Sequence, residues 1–77
     1  MNEKIEGYIA AVAKELGIEV SPKDDLFKNG VLDSMGFIML LSYIQDEFGI
    51  EFSEEDMKPE NFVNVDAIVV FCKNRIN

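Results

Sequence analysis

One uninterrupted stretch, from Asp33 to Phe48, most constrains how this chain can fold. It contains no proline, and its apolar residues recur at helical spacing, so we predict an α-helix of about four turns. Asp33, or Ser34 one residue later, can accept hydrogen bonds from the free amides of the first turn. Gly49 follows the stretch and can adopt the left-handed conformation that ends many helices.

The apolar residues of this predicted helix fall on two faces, at about 100° per residue. One face carries Phe37, Leu40, Leu41, Ile44 and Phe48. The other carries Met35, Met39 and Tyr43, at i, i+4 and i+8. A small chain has few ways to bury both faces, so we expect the second to be partly exposed and to contact other proteins. The alternative is that the connection 18–32 folds over this face and makes it core.

The length of 77 residues predicts a single domain, spanning 1–77, and a hydrophobic fraction of 48 % allows a small core. The net charge of −8 argues against binding to nucleic acid or to anionic membranes. Between Asn29 and Cys72 there are nine acidic residues and one basic residue. We therefore expect partners with basic patches, although such charge can also serve only solubility.

The single cysteine excludes an internal disulfide and fits a reducing compartment. The N-terminus lacks the basic and apolar regions of a signal peptide, and no run approaches the roughly 18 apolar residues of a membrane span. We expect a cytoplasmic monomer without membrane insertion.

Helical spacing also predicts a first helix, 2–16, and a last helix, 65–76. The apolar positions of the first are Ile5, Ile9, Val12 and Leu16. Those of the last are Val65, Ile68, Val69, Cys72 and Ile76. Asn64 is the expected cap of the last helix. These patterns, without any alternating strand, predict an all-α fold with a long first loop.

Shorter elements are predicted between the long helices. Ser21 to Asp24 resembles a capping box, with Pro22 at the first helical position, so we expect one helical turn there. A further short turn should begin at Ser53, and Pro59 should end it. The fold is therefore predicted as three helices of useful length with a minor helix before the last.

Few residues can carry chemistry. Histidine is absent, so no histidine-activated nucleophile exists, and the spacing of zinc ligands is missing. Cys72 lies on an apolar helix face, which is typical of a core residue. We therefore expect no enzyme. Ser34 remains, at a predicted helix start beside Asp33. The alternative is that both residues serve only as a cap.

Three stretches of the sequence now form a recognisable set: Leu-Asp-Ser-Met at 32–35, Glu-Phe-Gly-Ile at 47–50 and Val-Asp-Ala-Ile-Val at 65–69. Phe27 and Gly30 precede the first stretch. Over nearly the whole chain, this set resembles the acyl carrier protein and peptidyl carrier protein family. The resemblance implies a four-helix carrier-protein bundle, with a long loop between the first two helices and a short third helix.

The resemblance also implies a cofactor and partners. Ser34 would receive a 4′-phosphopantetheine arm from coenzyme A, attached by a phosphopantetheinyl transferase whose metal ion lies near Asp33. The arm's thiol would carry an acyl or aminoacyl group as a thioester between loading enzymes, adenylating or acyl-transferring, and condensing or transferring enzymes. Met35, Met39, Tyr43 and Asp46 are the predicted partner contacts.

The sequence departs from the carriers of fatty acid synthesis at several positions. Gly30 lies four residues before Ser34 rather than three, and Met39 occupies a position that is usually acidic. Gly36 and Gln45 replace further acids. The pattern resembles free-standing carriers of aminoacyl, D-alanyl or secondary-metabolite pathways. The alternative, from another class, is an unmodified acidic adaptor with a carrier-like fold.

Overall fold

The computed structural model describes residues 2–76, and the side chains of residues 3–76. It contains three α-helices: α1 (Asn2–Leu16), α2 (Ser34–Phe48) and α3 (Val65–Ile76). Two 3₁₀ helices, Glu55–Met57 and Pro59–Phe62, connect α2 to α3, and no strand occurs among residues 2–76. The predicted all-α fold is confirmed. The predicted short third α-helix is not, because 3₁₀ turns take its place.

Helix α2 begins and ends at the residues that its sequence predicts. Asp33 is the N-cap: its backbone is extended and its carboxylate oxygen accepts a hydrogen bond from the Gly36 amide at 2.7 Å. At the other end, Gly49 adopts a left-handed conformation with φ 66°, and its amide donates to the Gln45 carbonyl. Both ends of the helix are therefore fixed by local hydrogen bonds.

The core lies where the three helices meet. Its fully buried side chains come from α1, from α2, from α3 and from the connections between them: Ile5, Ile9, Leu26, Leu40, Ile44, Phe62, Ile68 and Cys72. Leu16 and Ile76, which were predicted to face the core, are exposed by 53 % and 48 %. Each lies in the last turn of its helix. Ala13 is buried in α1 instead, one residue beyond the predicted Val12, which is half-buried.

The loop between α1 and α2 is attached to the body of the protein. Leu26 is fully buried, and its amide donates to the Val63 carbonyl at 2.7 Å. The Asp66 amide donates to the carbonyl of Pro22 at 3.2 Å. Because these bonds reach the start of α3, they hold the whole loop against that helix.

The turn predicted at Ser21 forms, but it does not extend into a helix. The Asp24 amide donates to the Ser21 carbonyl at 3.0 Å, and the Ser21 amide donates back to the Asp24 carboxylate at 2.8 Å. The two residues therefore make the hydrogen bonds of a capped turn, and the chain then continues as a loop rather than as a helix.

The last helix begins as predicted. The side-chain oxygen of Asn64 accepts a hydrogen bond from the Ala67 amide at 2.7 Å, as an N-cap does. Further along α3, Arg75 forms an ion pair with Asp56 and lies over the ring of Phe71 at 5.4 Å from its centroid. These contacts hold the first 3₁₀ helix against α3.

No helix within residues 2–76 has the length and the apolar character needed to cross a membrane.

Candidate functional site

Ser34 is the first residue of α2, and it is exposed. The amides of Ser34 and Met35 have no carbonyl of the same helix to bond, because α-helical bonds reach back four residues. The Phe37 amide is the first to bond in that way, to the Asp33 carbonyl at 2.8 Å. An anion beside the Ser34 hydroxyl would therefore meet amide donors and the positive end of the helix dipole.

The chain immediately before Ser34 is firmly placed. Val31 and Leu32 are 3 % and 2 % exposed, so both are anchored in the core. The Leu32 amide donates to the Leu26 carbonyl at 2.9 Å, and the Val31 amide donates to the Asn29 side chain at 3.1 Å. Ser34 therefore projects from a rigid support rather than from a free loop.

Gly36 leaves room for the cap at the start of α2. A Cβ atom at this position would lie 3.2 Å from the Asp33 carboxylate oxygen, closer than ordinary van der Waals contact. The glycine hydrogen therefore lets the Asp33 carboxylate lie directly over the first turn.

An apolar patch borders Ser34 on the outer face of α2. It consists of Met35, Ile38 and Met39, which are 66 %, 59 % and 58 % exposed, and we name it the α2 patch. These three have the largest exposed fractions among the large hydrophobic residues described. Residues at i, i+3 and i+4 share one side of a helix, so the three side chains form a continuous surface. The long loop does not cover it.

Ile38 was not among the predicted partner contacts, because its position in the helix allowed it to belong to either face. The spacing i+3 from Met35 was the signal that could have found it. Asp46 is exposed, and it lies eleven residues, about three turns, beyond Met35 on the same side of α2.

Tyr43 is not part of this exposed surface. Its ring stacks on Tyr8 of α1, with the centroids 4.5 Å apart, and its hydroxyl donates to the Lys4 carbonyl at 3.3 Å. Lys4 also pairs with Glu47 at 2.8 Å, which joins the same two helices. Tyr43 is half-buried, which agrees with the predicted partial exposure, but its ring also serves to hold α2 against α1.

Other candidate groups are excluded by their surroundings. Burial raises the pKa of the Cys72 thiol to about 11, so it stays protonated and unreactive near neutral pH. Within the described residues, no group of three or more histidine, cysteine, aspartate or glutamate side chains could hold a metal ion. The exposed Ser34 hydroxyl, at the positive end of a helix, is the group suited to chemical modification.

A comparison with protein families identifies the class. Residues 3–69 match the model described as "Phosphopantetheine attachment site". The chain belongs to this family of phosphopantetheine-bearing carrier proteins. It is also 32 % identical, over 68 residues, to a D-alanyl carrier protein of Bacillus velezensis, and the match covers 80 % of this chain and 87 % of that relative.

The predicted family, function class and cofactor are thereby confirmed. In this family a 4′-phosphopantetheine arm is attached covalently, and the carrier shuttles an acyl or aminoacyl group. Carrier domains are generally not catalysts themselves. Their partners are phosphopantetheinyl transferases and biosynthetic enzymes.

Proposed function

We propose that Ser34 is the attachment residue and that residues 1–77 act as one free-standing carrier domain. The observation that carries the proposal is the exposed Ser34 hydroxyl at the first position of α2, inside the segment that matches the family. The attached arm would supply a thiol that holds the cargo as a thioester. The protein itself would act by tethering, which raises the effective concentration of the cargo at successive enzymes.

The surroundings of Ser34 fit a phosphodiester. The amides of Ser34 and Met35 lie at the positive end of α2, which favours a negative charge. The Asp33 carboxylate lies on the same turn and would repel that charge. Since a metal ion of the transferase would offset this repulsion, we propose that Asp33 acts during attachment, as the resemblance implies.

Attachment is a substitution at phosphorus. The Ser34 oxygen forms a bond to the phosphorus that carries the pantetheine arm of coenzyme A, and the phosphoanhydride bond of coenzyme A breaks. Adenosine 3′,5′-bisphosphate leaves, and the serine proton passes to a base of the transferase. The chain contains no histidine, the commonest general base, so we propose that this base belongs to the transferase.

We propose that partners read the outer face of α2. Met35 and Met39, together with Ile38, supply flexible apolar area that can adapt to several enzymes in turn. Asp46 adds a negative charge further along the helix. Tyr43 contributes to this surface only indirectly, through its stacking on Tyr8, which fixes the orientation of α2.

For the cargo, we propose an aminoacyl group loaded by an adenylating enzyme. The name of the Bacillus velezensis relative makes D-alanine the first amino acid to try. The modified protein, incubated with ATP and a D-alanine-activating enzyme, should gain the mass of one alanyl group.

The site is tested by mass spectrometry. Incubation with coenzyme A and a promiscuous phosphopantetheinyl transferase should add the mass of one arm to the wild-type protein. Ser34→Ala should abolish the gain. Ser42→Ala is the matched control, because Ser42 is also an exposed serine of α2, two turns further on, and it should be modified normally.

Two results would count against the proposal. Modification of Ser34→Ala would place the arm elsewhere. An unmodified wild-type protein, under conditions that load another carrier, would favour the unmodified adaptor. The same assay tests the expectation of basic partners, since added salt should slow modification if the acidic surface guides the encounter.

A further inference from the structure

We infer that the cargo of this carrier stays outside the helical core, so that the protein suits short or polar thioesters rather than long acyl chains. The inference rests on the proposed attachment at Ser34. The evidence for it is the packing of side chains beneath the first turn of α2. This packing is a separate observation from the identity of the attachment residue.

Aromatic rings fill the space beneath Ser34. Phe37 follows Ser34 by three residues and points inward, where it is half-buried. Its ring centroid is 5.9 Å from that of Phe27 in the long loop and 5.3 Å from that of Phe62. Phe62 is fully buried. Rings at these separations are in edge-to-face contact, so no alkyl chain fits between them.

The aromatic cluster continues toward α3. Phe62 lies 6.0 Å from Phe52 and 5.2 Å from Phe71, and these last two rings stack on each other at 5.7 Å. Phe27, Phe37, Phe52, Phe62 and Phe71 therefore form one continuous set, which we name the five-ring cluster. It links the loop, α2 and α3 across the side of the core below the attachment residue.

Aliphatic side chains close the rest of the interior. Leu40 and Ile44 of α2 belong to the same core cluster as Ile68 and Cys72 of α3, and all four are fully buried. Protein interiors pack as densely as organic crystals, and a chain of several methylenes could enter only by displacing such side chains.

The open clefts of the surface lie away from the first turn of α2. One, of about 220 Å³, is lined by Glu6, Ile9, Ala10, Val20, Ser21, Pro22 and Val65. Another, of about 380 Å³, is lined by Glu60, Asn61, Asp66, Ala67, Val70, Phe71 and Asn74. A third, of about 450 Å³, is lined by Phe48, Gly49, Ile50, Glu51, Arg75 and Ile76. It reaches only the last residue of α2, about 20 Å along the helix from Ser34. Since none of these clefts adjoins Ser34, a long acyl chain at the end of the arm would remain in water, which disfavours it, whereas a charged aminoacyl group is well hydrated there.

The test compares cargoes of different length on the same protein. A promiscuous transferase loads acetyl- or octanoyl-phosphopantetheine from the corresponding acyl-coenzyme A. The mass of each product is recorded first, and the midpoint of its thermal unfolding is then measured. We expect the two midpoints to agree within about 2 °C. Burial of the six additional methylenes would raise the octanoyl midpoint by more than about 10 °C. A rise above about 5 °C would overturn the inference.

A variant tests whether the rings exclude the chain. Phe37→Ala removes the ring nearest to Ser34, and octanoyl cargo should then raise the midpoint by several degrees over acetyl cargo. Tyr8→Ala is the matched control, because it removes a half-buried ring outside the five-ring cluster and should give no such gain. If Phe37→Ala does not fold, Phe37→Leu is measured in its place, because it also removes the ring. No gain in either Phe37 variant would overturn the assignment of this ring as the barrier.

The recorded masses separate the two proposals. A wild-type protein that gains no mass contradicts the attachment at Ser34, and the inference falls with it. A protein that is loaded and then stabilised by octanoyl cargo contradicts only the inference. A third readout is the rate at which hydroxylamine cleaves each thioester relative to the free acyl-coenzyme A. This ratio should be the same for both cargoes, whereas a tenfold lower ratio for octanoyl would show shielding in the protein.

Discussion

The inner and outer faces of α2 have similar apolar composition and opposite surroundings. Met39 and Leu40 are neighbours in the chain, yet Met39 is 58 % exposed and Leu40 is completely buried. A rotation of about 100° separates them. The comparison shows that hydrophobicity alone does not assign a residue to the core. The assignment depends on what lies opposite, which is the aromatic and aliphatic interior for one face and solvent for the other.

The largest expected effect separates these two faces directly. Leu40→Ala leaves a cavity among fully buried side chains, so its free energy of unfolding should fall by about 2–5 kcal/mol. Met39→Ala should cost well under about 1 kcal/mol, as changes at exposed positions usually do. Urea melts of both variants beside the wild type measure the difference.

The same pair of variants also tests function. Met39→Ala should slow a partner reaction, such as phosphopantetheine transfer, while Leu40→Ala should do so only to the extent that it unfolds the protein. Equal and large stability losses in both variants would show that the α2 patch is core and not a contact surface.

The features of α2 that the sequence predicts are those set by residues nearby in the chain. Asp33 and Gly49 were predicted as the ends of the helix, because the bonds they make lie within four residues of each position. The stacking of Tyr43 was not predicted, because its partner, Tyr8, is 35 residues away on another helix. From spacing alone, Tyr43 is apolar and opposite the core. Only the placement of α1 decides that its ring is covered.

The connections show the same limit. The turn at Ser21 has a helix-start sequence, but Pro22 and Leu26 bond to the segment that leads into α3, and these distant bonds hold the chain as a loop. The helix start at Asp33 and Ser34 was better predicted, since its cap is a local motif, while attachment at Ser34 stays a prediction. Ile38 was left out because its spacing from Met35 places it on the outer face, whereas its apolar side chain is equally typical of the core.

The next prediction concerns the buried side of the comparison and uses pH. Burial raises the pKa of the Cys72 thiol from an ordinary 9.0 to about 11. The folded protein therefore holds this proton more tightly than the unfolded chain. Its contribution to stability is full below about pH 9 and is lost as the pH rises from there to about pH 11. At pH 10 the loss should be on the order of 1 kcal/mol.

The loss at Cys72 is measured as a difference between two proteins. Urea melts at about pH 7.5 and about pH 10, under reducing conditions, compare the wild type with Cys72→Ala. Other groups with raised pKa values, Tyr8 and Lys4, are present in both proteins and cancel. The wild type should lose on the order of 1 kcal/mol more than the variant. An equal pH dependence in the two would mean that water reaches the thiol and that the core around Cys72 is looser than described.

The last prediction concerns Asp33, at the point where the two faces of α2 begin. It separates two roles of one carboxylate, capping the helix and carrying a charge. Asp33 accepts from the Gly36 amide at 2.7 Å, so Asp33→Ala should lower the free energy of unfolding by about 1 kcal/mol. Asp33→Asn keeps an oxygen that can cap the helix and removes the charge, so it should cost only about 0.3–1 kcal/mol, from the lost attraction to the helix dipole.

The rate of phosphopantetheine transfer should rank the two Asp33 variants differently from their free energies of unfolding. If the charge of Asp33 is needed near the metal ion of the transferase, Asp33→Asn should lower kcat/KM for attachment at Ser34 by about tenfold or more, nearly as much as Asp33→Ala. Because the asparagine variant keeps its cap, that loss cannot be attributed to a frayed helix. Full activity of Asp33→Asn together with impaired activity of Asp33→Ala would reverse the conclusion. Asp33 would then serve the site only by capping α2, and the transferase would need the helix start rather than the carboxylate.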